Sequence, residues 1–305
     1  MDVSIVIPCY RSPKALRNLV DDLLETFGKT GAEFEVLLVL DCRDVSTLEL
    51  TSQINGRSDR VRRILLSRNF GQQAATAAGI VESQGKIVVT MDDDYQQTPA
   101  DALNIVNILE AERTVDLVYG VPDKNQQSFG RKVSGNFFRN VMKSAGIPFF
   151  HLFSPLRGFR GYFREAIQGY GGPTVAVDVA LAWVVSEVRG YVANFRPRVD
   201  GESGYSGLAR FRLALSFLLA QSTAALQLGI YLGLVGVLSA MVLAGRILYL
   251  SLTDALFVPG FATTILVILF VGSIQLLLLG IIGRYVGLQH RRSIGQPAYF
   301  VAGRD

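Results

Sequence analysis

Short apolar runs alternate with longer amphipathic segments through the first part of the chain. The runs Val3–Tyr10 and Phe34–Asp41 are almost continuously apolar, which is typical of strands buried on both faces of a parallel sheet. Between them, Ser12–Phe27 carries apolar residues at the spacing of a helix. The same alternation continues through the predicted strands Arg62–Ser67 and Lys86–Asp92. The pattern predicts an α/β fold, a doubly wound domain with a mostly parallel sheet.

The later part of the chain differs, because two long stretches contain no Asp, Glu, Lys or Arg, between residues 212 and 246 and between residues 254 and 284. Each stretch is longer than the roughly 20 apolar residues that cross a bilayer. We therefore predict two transmembrane helices, one within Ala225–Tyr249 and one within Phe261–Gly283. The alternative is a pair of buried core helices, which seldom run so long without a charge.

The placement of basic residues predicts the membrane topology. Arginines lie on the outer sides of the two predicted spans, at Arg210, Arg212, Arg284, Arg291, Arg292 and Arg304. By the positive-inside rule, the folded domain and both termini are expected in the cytoplasm, with a small hairpin outside. The start of the chain, Met1–Pro8, lacks the features of a signal peptide.

Charge and cysteine content narrow the expected partners. The formal net charge of +4 suits a protein at the surface of anionic lipid and does not require a nucleic acid. Cys9 and Cys42 are expected to be reduced thiols, and their spacing offers no metal site. The small-residue face "GIYLGLVG" of the first predicted span allows close helix packing. We therefore expect the lipid bilayer and a homo-oligomer among the partners, and no nucleic acid.

Three consecutive aspartates follow directly on a predicted buried strand. Adjacent carboxylates repel one another, so the strand either surfaces into a solvated acidic turn or ends at a bound cation. In open α/β sheets, ligands lie beyond the carboxyl ends of the strands. That rule gathers four segments on one rim: Pro8–Tyr10, Asp41–Asp44, Ser67–Gly71 and Asp92–Asp94. The position of the aspartates on this rim favours the cation.

Two of the aspartates have the spacing of a metal site. Asp92 and Asp94 lie two residues apart, so their side chains point the same way from an extended segment. Two carboxylates on one face suit Mg²⁺ or Mn²⁺, whose remaining ligands are waters and phosphate oxygens. The sequence thus predicts a divalent cation that is held by Asp92, Asp94 and Gln96 and that bridges to a nucleotide diphosphate.

Five segments carry a family resemblance: "IVIPCY", "LLVLD", "LSRNFGQQAATAAG", "MDDDYQQTP" and "RVDGESGYS". In this order, and followed by two predicted spans, they resemble the polyprenyl-phosphate glycosyltransferases of glycosyltransferase family 2. The resemblance covers nearly the whole chain and implies a GT-A fold in a multi-pass protein of the inner (plasma) membrane. It implies inverting transfer of a single sugar from a nucleotide sugar, with a UDP-linked donor favoured, to a polyprenyl phosphate such as undecaprenyl phosphate.

The resemblance also assigns roles to residues. Those expected at the nucleotide sugar are Pro8, Cys9, Tyr10, Asp41, Asp92, Asp93, Gln96 and Arg198. Arg198 would face the donor diphosphate, and Asp94, Arg131 and Arg198 would be catalytic. The chain departs from the family where Arg11-Ser12 replaces the usual Asn-Glu and where Gly204 replaces a Lys.

The acceptor side calls for cations rather than a base. A lipid phosphate is already anionic, so its oxygen can attack without a proton acceptor, and the site must bring two anions together. The resemblance assigns Arg131 to the acceptor phosphate, with Ser134 as a hydroxyl partner. Arg157 and Arg160 are similar candidates, because they lie in the segment "SPLRGFRGYFR", where arginines alternate with aromatic residues. The alternative for Arg131 is the basic face of a surface amphipathic helix. Asp178, the nearby carboxylate, could contact the sugar, act as a base or make a structural hydrogen bond.

Four segments and two rival functions complete the sequence-based hypothesis. We expect a GT-A domain at residues 1–206, an interfacial amphipathic helix at 207–222, a transmembrane hairpin at 223–285 and a basic cytoplasmic tail at 286–305. The alternative for the interfacial helix is a plain surface helix packed on the domain. A processive polysaccharide synthase would share the fold but normally has more spans and a Gln-x-x-Arg-Trp motif, which this chain lacks. A catalytically decayed domain that serves as a membrane scaffold in glycan assembly is favoured by the lost Asn-Glu and Lys. The intact Asp-x-Asp-x-Gln and Arg198 oppose it.

Overall fold

The computed structural model describes residues 1–10, 15–122, 148–169, 176–196 and 260–305, with scattered helical positions between 231 and 249. The chain divides into two compact units, Met1–Arg210 with Ile294–Asp305, and Phe211–Ser293. Arg131, Ser134 and Arg198 lie outside the described residues, as does the predicted interfacial helix.

The described part of the first unit consists of strands joined mainly by helices. The strands are β1 (Val3–Cys9), β2 (Phe34–Leu40), β3 (Val61–Leu66), β4 (Ile87–Thr90), β5 (Leu117–Pro122), β6 (Arg157–Arg160), β7 (Val188–Ala193) and β8 (Val301–Arg304). The helices are α1 (Ala15–Gly28), α2 (Val45–Asn55), α3 (Gln72–Glu82), α4 (Pro99–Ala111), α5 (Arg164–Gly169) and α6 (Val177–Ala182). In the second unit, the long helix α7 spans Phe261–Ser293.

The described strands form one sheet in the order β7-β5-β6-β4-β1-β2-β3-β8. The neighbours β4, β1, β2 and β3 are parallel, and so are β5 and β7. β6 runs antiparallel to both β4 and β5, and β8 runs antiparallel to β3. The predicted α/β fold with a mostly parallel sheet is thus confirmed, with two antiparallel strands that the sequence pattern did not indicate.

Helices cover both faces of the sheet, as in a doubly wound fold. α1, α2 and α4 bury their apolar side chains on the face that carries Ile5 of β1 and Leu38 of β2. α3, α5 and α6 cover the opposite face, which carries Val6 and Val39. Every residue of β1 and β2 is buried, which explains why these strands are continuous apolar runs in the sequence.

Helix α3 packs close to the sheet because its inner face is made of small residues. Its buried residues are Ala74, Ala75, Thr76, Ala77, Ala78, Gly79 and Ile80. At Gly79, a Cβ atom would lie 2.3 Å from Val6 Cγ1 and 2.7 Å from Val39 Cγ2. This close packing fixes α3 over β1 and β2, and its first residues lie at the rim where the parallel strands end.

One helix in the described residues is long and apolar enough, by length and composition, to cross a membrane. The stretch is Phe270–Arg291 within α7, with a mean hydropathy of 1.6, and none of its most apolar window is buried inside the protein. It overlaps the predicted second span. The first span, expected within Ala225–Tyr249, lies largely outside the described residues, so the expected pair of transmembrane helices stays a prediction.

The end of the chain returns to the sheet. β8 pairs with β3, and the Arg304 guanidinium donates two hydrogen bonds, of 2.9 and 2.7 Å, to the Glu82 carboxylate at the end of α3. Residues 286–305, expected as a basic tail, thus contain the end of α7 and a strand of the sheet, neither of which the sequence pattern indicated.

Candidate active site

The carboxyl ends of β1 and β4 meet at a cavity. The two strands are adjacent and parallel, and just past their paired residues the Met91 N–H donates to the Val6 carbonyl at 3.1 Å. A cavity of about 150 Å³ lies there, and Pro8, Thr90 and Asp92 are among its lining residues. The position agrees with the expectation that the segments following the parallel strands share one rim.

Asp41 holds the turn that leads into α3. Its Oδ1 accepts a hydrogen bond from the Phe70 N–H and its Oδ2 one from the Gly71 N–H, both at 2.7 Å. Gly71 has a φ of +94°, which a residue with a side chain rarely adopts. Burial raises the pKa of the Asp41 carboxyl, and the two N–H groups oppose that rise. Asp41 therefore has a structural role here, and its expected contact with the nucleotide stays a prediction.

Two glutamines at the start of α3 connect this helix to two other segments at the cavity. The Gln72 side-chain amide donates to Asp92 Oδ1 at 2.6 Å. The Gln73 side-chain oxygen accepts from the Val177 N–H at 3.2 Å, next to Asp178. Both glutamines line the cavity. The sequence singled out the surrounding "RNFGQ" segment only as a family motif, and their individual contacts were missed because they depend on where α3 begins.

The acidic segment, Asp92–Gln97, is held by hydrogen bonds of its own. The Asp92 N–H donates to the side-chain oxygen of the buried Gln97 at 2.9 Å. The Gln96 N–H donates back to Asp94 Oδ1 at 3.1 Å, which closes a small turn around Tyr95. Asp92, Asp93 and Asp94 are all partly exposed. We refer to this segment as the acidic loop.

The residues of the acidic loop fit a hard divalent cation that also binds a substrate. Among the described residues, no group of three or more His, Cys, Asp or Glu side chains is arranged to hold a metal. A cage made only of protein groups is therefore not found in that part of the chain. Two carboxylates completed by diphosphate and water oxygens, however, match the preference of Mg²⁺ and Mn²⁺. Asp92 and Asp94, with Gln96 as the predicted third ligand, would hold such a cation.

Arg157, expected at the acceptor phosphate, lies instead in a buried ion pair. Its Nη1 contacts Asp178 Oδ1, and its Nε donates to Thr90 Oγ1 at 2.9 Å. The same Asp178 oxygen accepts a hydrogen bond from the Tyr119 hydroxyl at 2.9 Å. Arg157 is only 2% exposed. Its charge is therefore balanced within the protein, and the geometry gives no support to a contact with a lipid phosphate.

The charges of this pair also affect its neighbours. Burial, the largest effect, lowers the pKa of the Arg157 guanidinium, but the Asp178 carboxylate and smaller contributions from Tyr119 and Asp92 together raise it above its ordinary value. Burial and the charge of Asp178 raise the pKa of the Tyr119 hydroxyl well above its ordinary value, so Tyr119 remains a neutral donor. Of the roles considered for Asp178, the structure supplies the structural hydrogen bond. Both Arg157 and Asp178 line the cavity.

The other residues expected at the nucleotide are placed as follows. Pro8 lines the cavity, whereas the Cys9 side chain is fully buried and its backbone carbonyl accepts from the Asp41 N–H at 2.9 Å. Tyr10 is 48% exposed at the end of β1. The structure thus brings Pro8, Asp41 and the acidic loop to one rim, and their contacts with a donor stay predictions.

The fold and this rim define the class of protein. A mostly parallel sheet with an antiparallel strand inserted between its parallel parts, and with an acidic loop at the carboxyl ends of the strands, is a GT-A-like α/β architecture. The chain belongs to glycosyl transferase family 2, whose family model matches residues 4–171. The family expected from the sequence is thus confirmed, and the protein is a glycosyltransferase.

Similar proteins extend the match over the whole chain. An uncharacterized glycosyltransferase of Synechocystis sp. is 28% identical and covers 99% of this chain and 95% of its own. The undecaprenyl-phosphate 4-deoxy-4-formamido-L-arabinose transferase of Pseudomonas paraeruginosa is 29% identical and covers 98% of this chain and 89% of its own. Glucosyl-3-phosphoglycerate synthase of Mycobacterium tuberculosis shares the fold, with a TM-score of 0.51, at 15% identity over 72% of this chain and 80% of that one.

Proposed function

We propose that the protein transfers one sugar, with inversion, from a nucleotide sugar to a membrane polyprenyl phosphate, with a UDP-linked donor and undecaprenyl phosphate as the favoured substrates. The observation that carries the proposal is the acidic loop at the rim cavity, with Asp92 held by Gln72 at 2.6 Å. The undecaprenyl-phosphate sugar transferase of Pseudomonas paraeruginosa, which matches 98% of this chain, supports a polyprenyl phosphate as the acceptor. The product would serve glycan or cell-envelope modification.

In the proposed reaction, a phosphate oxygen of the lipid attacks the anomeric carbon of the donor sugar. The new carbon–oxygen bond forms as the bond to the diphosphate breaks, and the nucleoside diphosphate leaves with the electron pair. No proton has to be removed, because the attacking phosphate is already anionic. A bound Mg²⁺ or Mn²⁺ would neutralise the charge that develops on the leaving diphosphate.

The side chains of this protein then have four tasks. Asp92 and Asp94 would hold the cation, with Gln96 as a further ligand. Arg198 would assist the leaving diphosphate. It lies two residues after Arg196, whose backbone N–H donates to the Gln96 carbonyl at 2.8 Å. Arg131, with Ser134, would bring the lipid phosphate to the face of the sugar opposite the leaving group, as in-line displacement requires. The ion pair of Arg157 would form part of the cavity wall.

We also propose a two-span, multi-pass topology with both termini in the cytoplasm. The chain leaves the first unit near Arg210 and rejoins it at Ile294, and β8 is part of the same sheet as β1. A segment that begins and ends in one folded domain crosses a bilayer an even number of times, so a spanning α7 calls for a second span. In intact cells, a membrane-impermeant maleimide should label Thr253→Cys but not Ser293→Cys, and the reverse pattern would contradict this topology. The native Cys9 and Cys42 are buried, which keeps the background low.

The activity is tested with the full-length protein in liposomes that contain undecaprenyl phosphate and radiolabelled UDP-sugars. Label is expected in the lipid extract, EDTA should abolish it, and Mn²⁺ should restore it. Asp92→Asn and Asp94→Asn are each expected to lower kcat/KM by about 100-fold or more, the size typical of losing one charge-stabilising group. The matched control is Asp59→Asn, at an exposed aspartate of the turn before β3.

Two results would count against the proposal. Lipid-linked product that is unaffected by EDTA and by both loop variants would leave the acidic loop without a catalytic role. Binding of UDP with Mn²⁺, but no transfer from any common nucleotide sugar, would favour the alternative of a decayed domain that acts as a scaffold.

The homo-oligomer remains part of the proposal and is measured by light scattering of the detergent-solubilised protein.

A further inference from the structure

Tyr95 lies in the middle of the acidic loop in a backbone conformation that residues with side chains rarely adopt. Its φ is +57°, and among the described residues Phe149 is the only other non-glycine residue with a positive φ. Tyr95 separates Asp94 from Gln96, whose N–H folds back onto Asp94 Oδ1 at 3.1 Å. The turn that presents Asp94 is therefore built around this tyrosine.

The Tyr95 side chain contacts two elements outside the loop. Its hydroxyl donates a hydrogen bond to the Asp22 carboxylate of α1. Its ring lies against the Arg196 guanidinium, whose carbon is 4.8 Å from the ring centroid. Arg196 follows β7, and its own N–H donates to the Gln96 carbonyl at 2.8 Å. One side chain therefore joins the acidic loop both to α1 and to the segment after β7.

We infer that Tyr95 is a positioning residue for the metal-binding carboxylates, an inference that rests on the proposed function. The neighbouring carboxylates of Asp92, Asp93 and Asp94 repel one another, which favours a more open loop when no cation is bound. The contacts of Tyr95 oppose that opening. A loop that already has its bound conformation loses less conformational freedom on binding, so it binds the cation more tightly.

The test measures Mn²⁺ binding in the presence of UDP, by the electron paramagnetic resonance signal of free Mn²⁺, on the full-length protein in detergent. Tyr95→Asn tolerates the positive φ and removes both side-chain contacts. Tyr95→Phe removes the hydroxyl, with its hydrogen bond to Asp22, and keeps the ring over Arg196. Arg196→Leu removes the contact with the ring and keeps the backbone hydrogen bond to Gln96.

Matched controls separate positioning from a general loss of stability. Tyr162→Phe also removes a hydrogen bond from a tyrosine hydroxyl to a carboxylate, that of Asp116 at 3.3 Å. Asp116 immediately precedes β5, so it lies at the amino end of that strand, whereas the cavity lies at the carboxyl ends of β1 and β4. The melting temperature of every variant is recorded alongside its Mn²⁺ affinity.

Tyr95→Asn is expected to weaken Mn²⁺ binding about tenfold, within the range seen when an outer-sphere partner of a metal ligand is lost. Tyr95→Phe should weaken it by a smaller factor, and Tyr162→Phe should leave it unchanged. The double variant Tyr95→Asn/Arg196→Leu should bind no more weakly than Tyr95→Asn, because both changes remove the same contact.

A Tyr95→Asn protein with a lower melting temperature but unchanged Mn²⁺ affinity would overturn the inference and leave the proposed function intact. A wild-type protein that binds no Mn²⁺ with UDP would overturn both. The two failures are therefore distinguishable.

Discussion

Substituting Asp178 by Asn removes the counter-ion of a buried guanidinium. The Arg157 side chain is 3% exposed and the Asp178 side chain 16%, so little water can replace the lost carboxylate. Removing one member of a buried ion pair typically costs about 3–5 kcal/mol. Asn keeps a side-chain oxygen that can accept from the Tyr119 hydroxyl, which donates to Asp178 Oδ1 at 2.9 Å in the wild-type protein. We therefore expect the lower end of that range, about 3 kcal/mol in the free energy of unfolding.

For a domain of this size, such a loss lowers the melting temperature by about 6–12 °C. Differential scanning fluorimetry of the detergent-solubilised protein measures it. Glu112→Gln is the matched control, because the ion pair of Glu112 with Arg189 is exposed, at 36% and 50% of the side chains. An exposed pair contributes about 1 kcal/mol or less. The double variant Arg157→Met/Asp178→Leu should regain part of the loss, since apolar residues can replace a buried ion pair but leave the buried Tyr119 hydroxyl without its acceptor.

A variant of Arg157 itself distinguishes a ligand of the lipid phosphate from a member of a buried ion pair. Were this guanidinium a ligand of the lipid phosphate, Arg157→Lys would raise the KM for the lipid and leave the melting temperature unchanged. The structure predicts the opposite, because Lys cannot reproduce the contacts that Arg157 makes to both Thr90 and Asp178. An Asp178→Asn protein as stable as Glu112→Gln would refute the buried pair as described.

Two further predictions concern the packing of α3 and the C-terminal strand. Gly79→Ala should destabilise the protein by about 1–3 kcal/mol despite the better helix propensity of Ala, because the added Cβ would lie 2.3 Å from Val6 Cγ1; thermal unfolding measures it, and a gain in stability would contradict the packing. Arg304 lowers the pKa of Glu82 by hydrogen bonding to it, so the folded state binds the proton of Glu82 less tightly than the unfolded state does. The contribution of this pair is complete above the ordinary glutamate pKa of about 4.3 and is lost as pH falls through the lowered value. The protection factors of the β8 amides, which are exchange rates corrected for their intrinsic pH dependence, should therefore fall in that acidic range in the wild type, and Arg304→Ala should already show the lowered protection at neutral pH.

The parallel part of the sheet could be predicted because its strands are buried on both faces. β1 and β2 are continuous apolar runs, each followed by an amphipathic segment that covers the sheet. β6 and β8 are short, and each carries arginine, so neither has the composition of a buried strand. Their pairing is decided by the neighbouring strands rather than by their own residues. β8 in particular pairs with β3, which lies far earlier in the sequence, before both of the long uncharged stretches.

The sequence indicates which residues lie at the rim, but it does not indicate which side chains contact them. Asp92 and Asp94 stand out because three carboxylates at the end of a buried strand need an explanation. The partner of Asp92 is Gln72, on a helix whose starting residue depends on the turn held by Asp41. The sequence makes Arg157 a candidate phosphate ligand because its segment interleaves arginines with aromatic residues. Its burial arises only when β6 is inserted between β4 and β5.

The contacts around the acidic loop bear on the choice between a cation site and a solvated acidic turn. Gln72 holds the Asp92 carboxylate, Gln97 holds the Asp92 backbone, and Tyr95 ties the loop to Asp22 of α1. A solvated acidic turn requires none of these contacts, because water alone stabilises separate carboxylates and lets them move apart. Holding like charges together costs free energy, and a divalent cation that binds between them offsets that cost. A loop fixed in this way therefore supports the proposal that it binds a divalent cation.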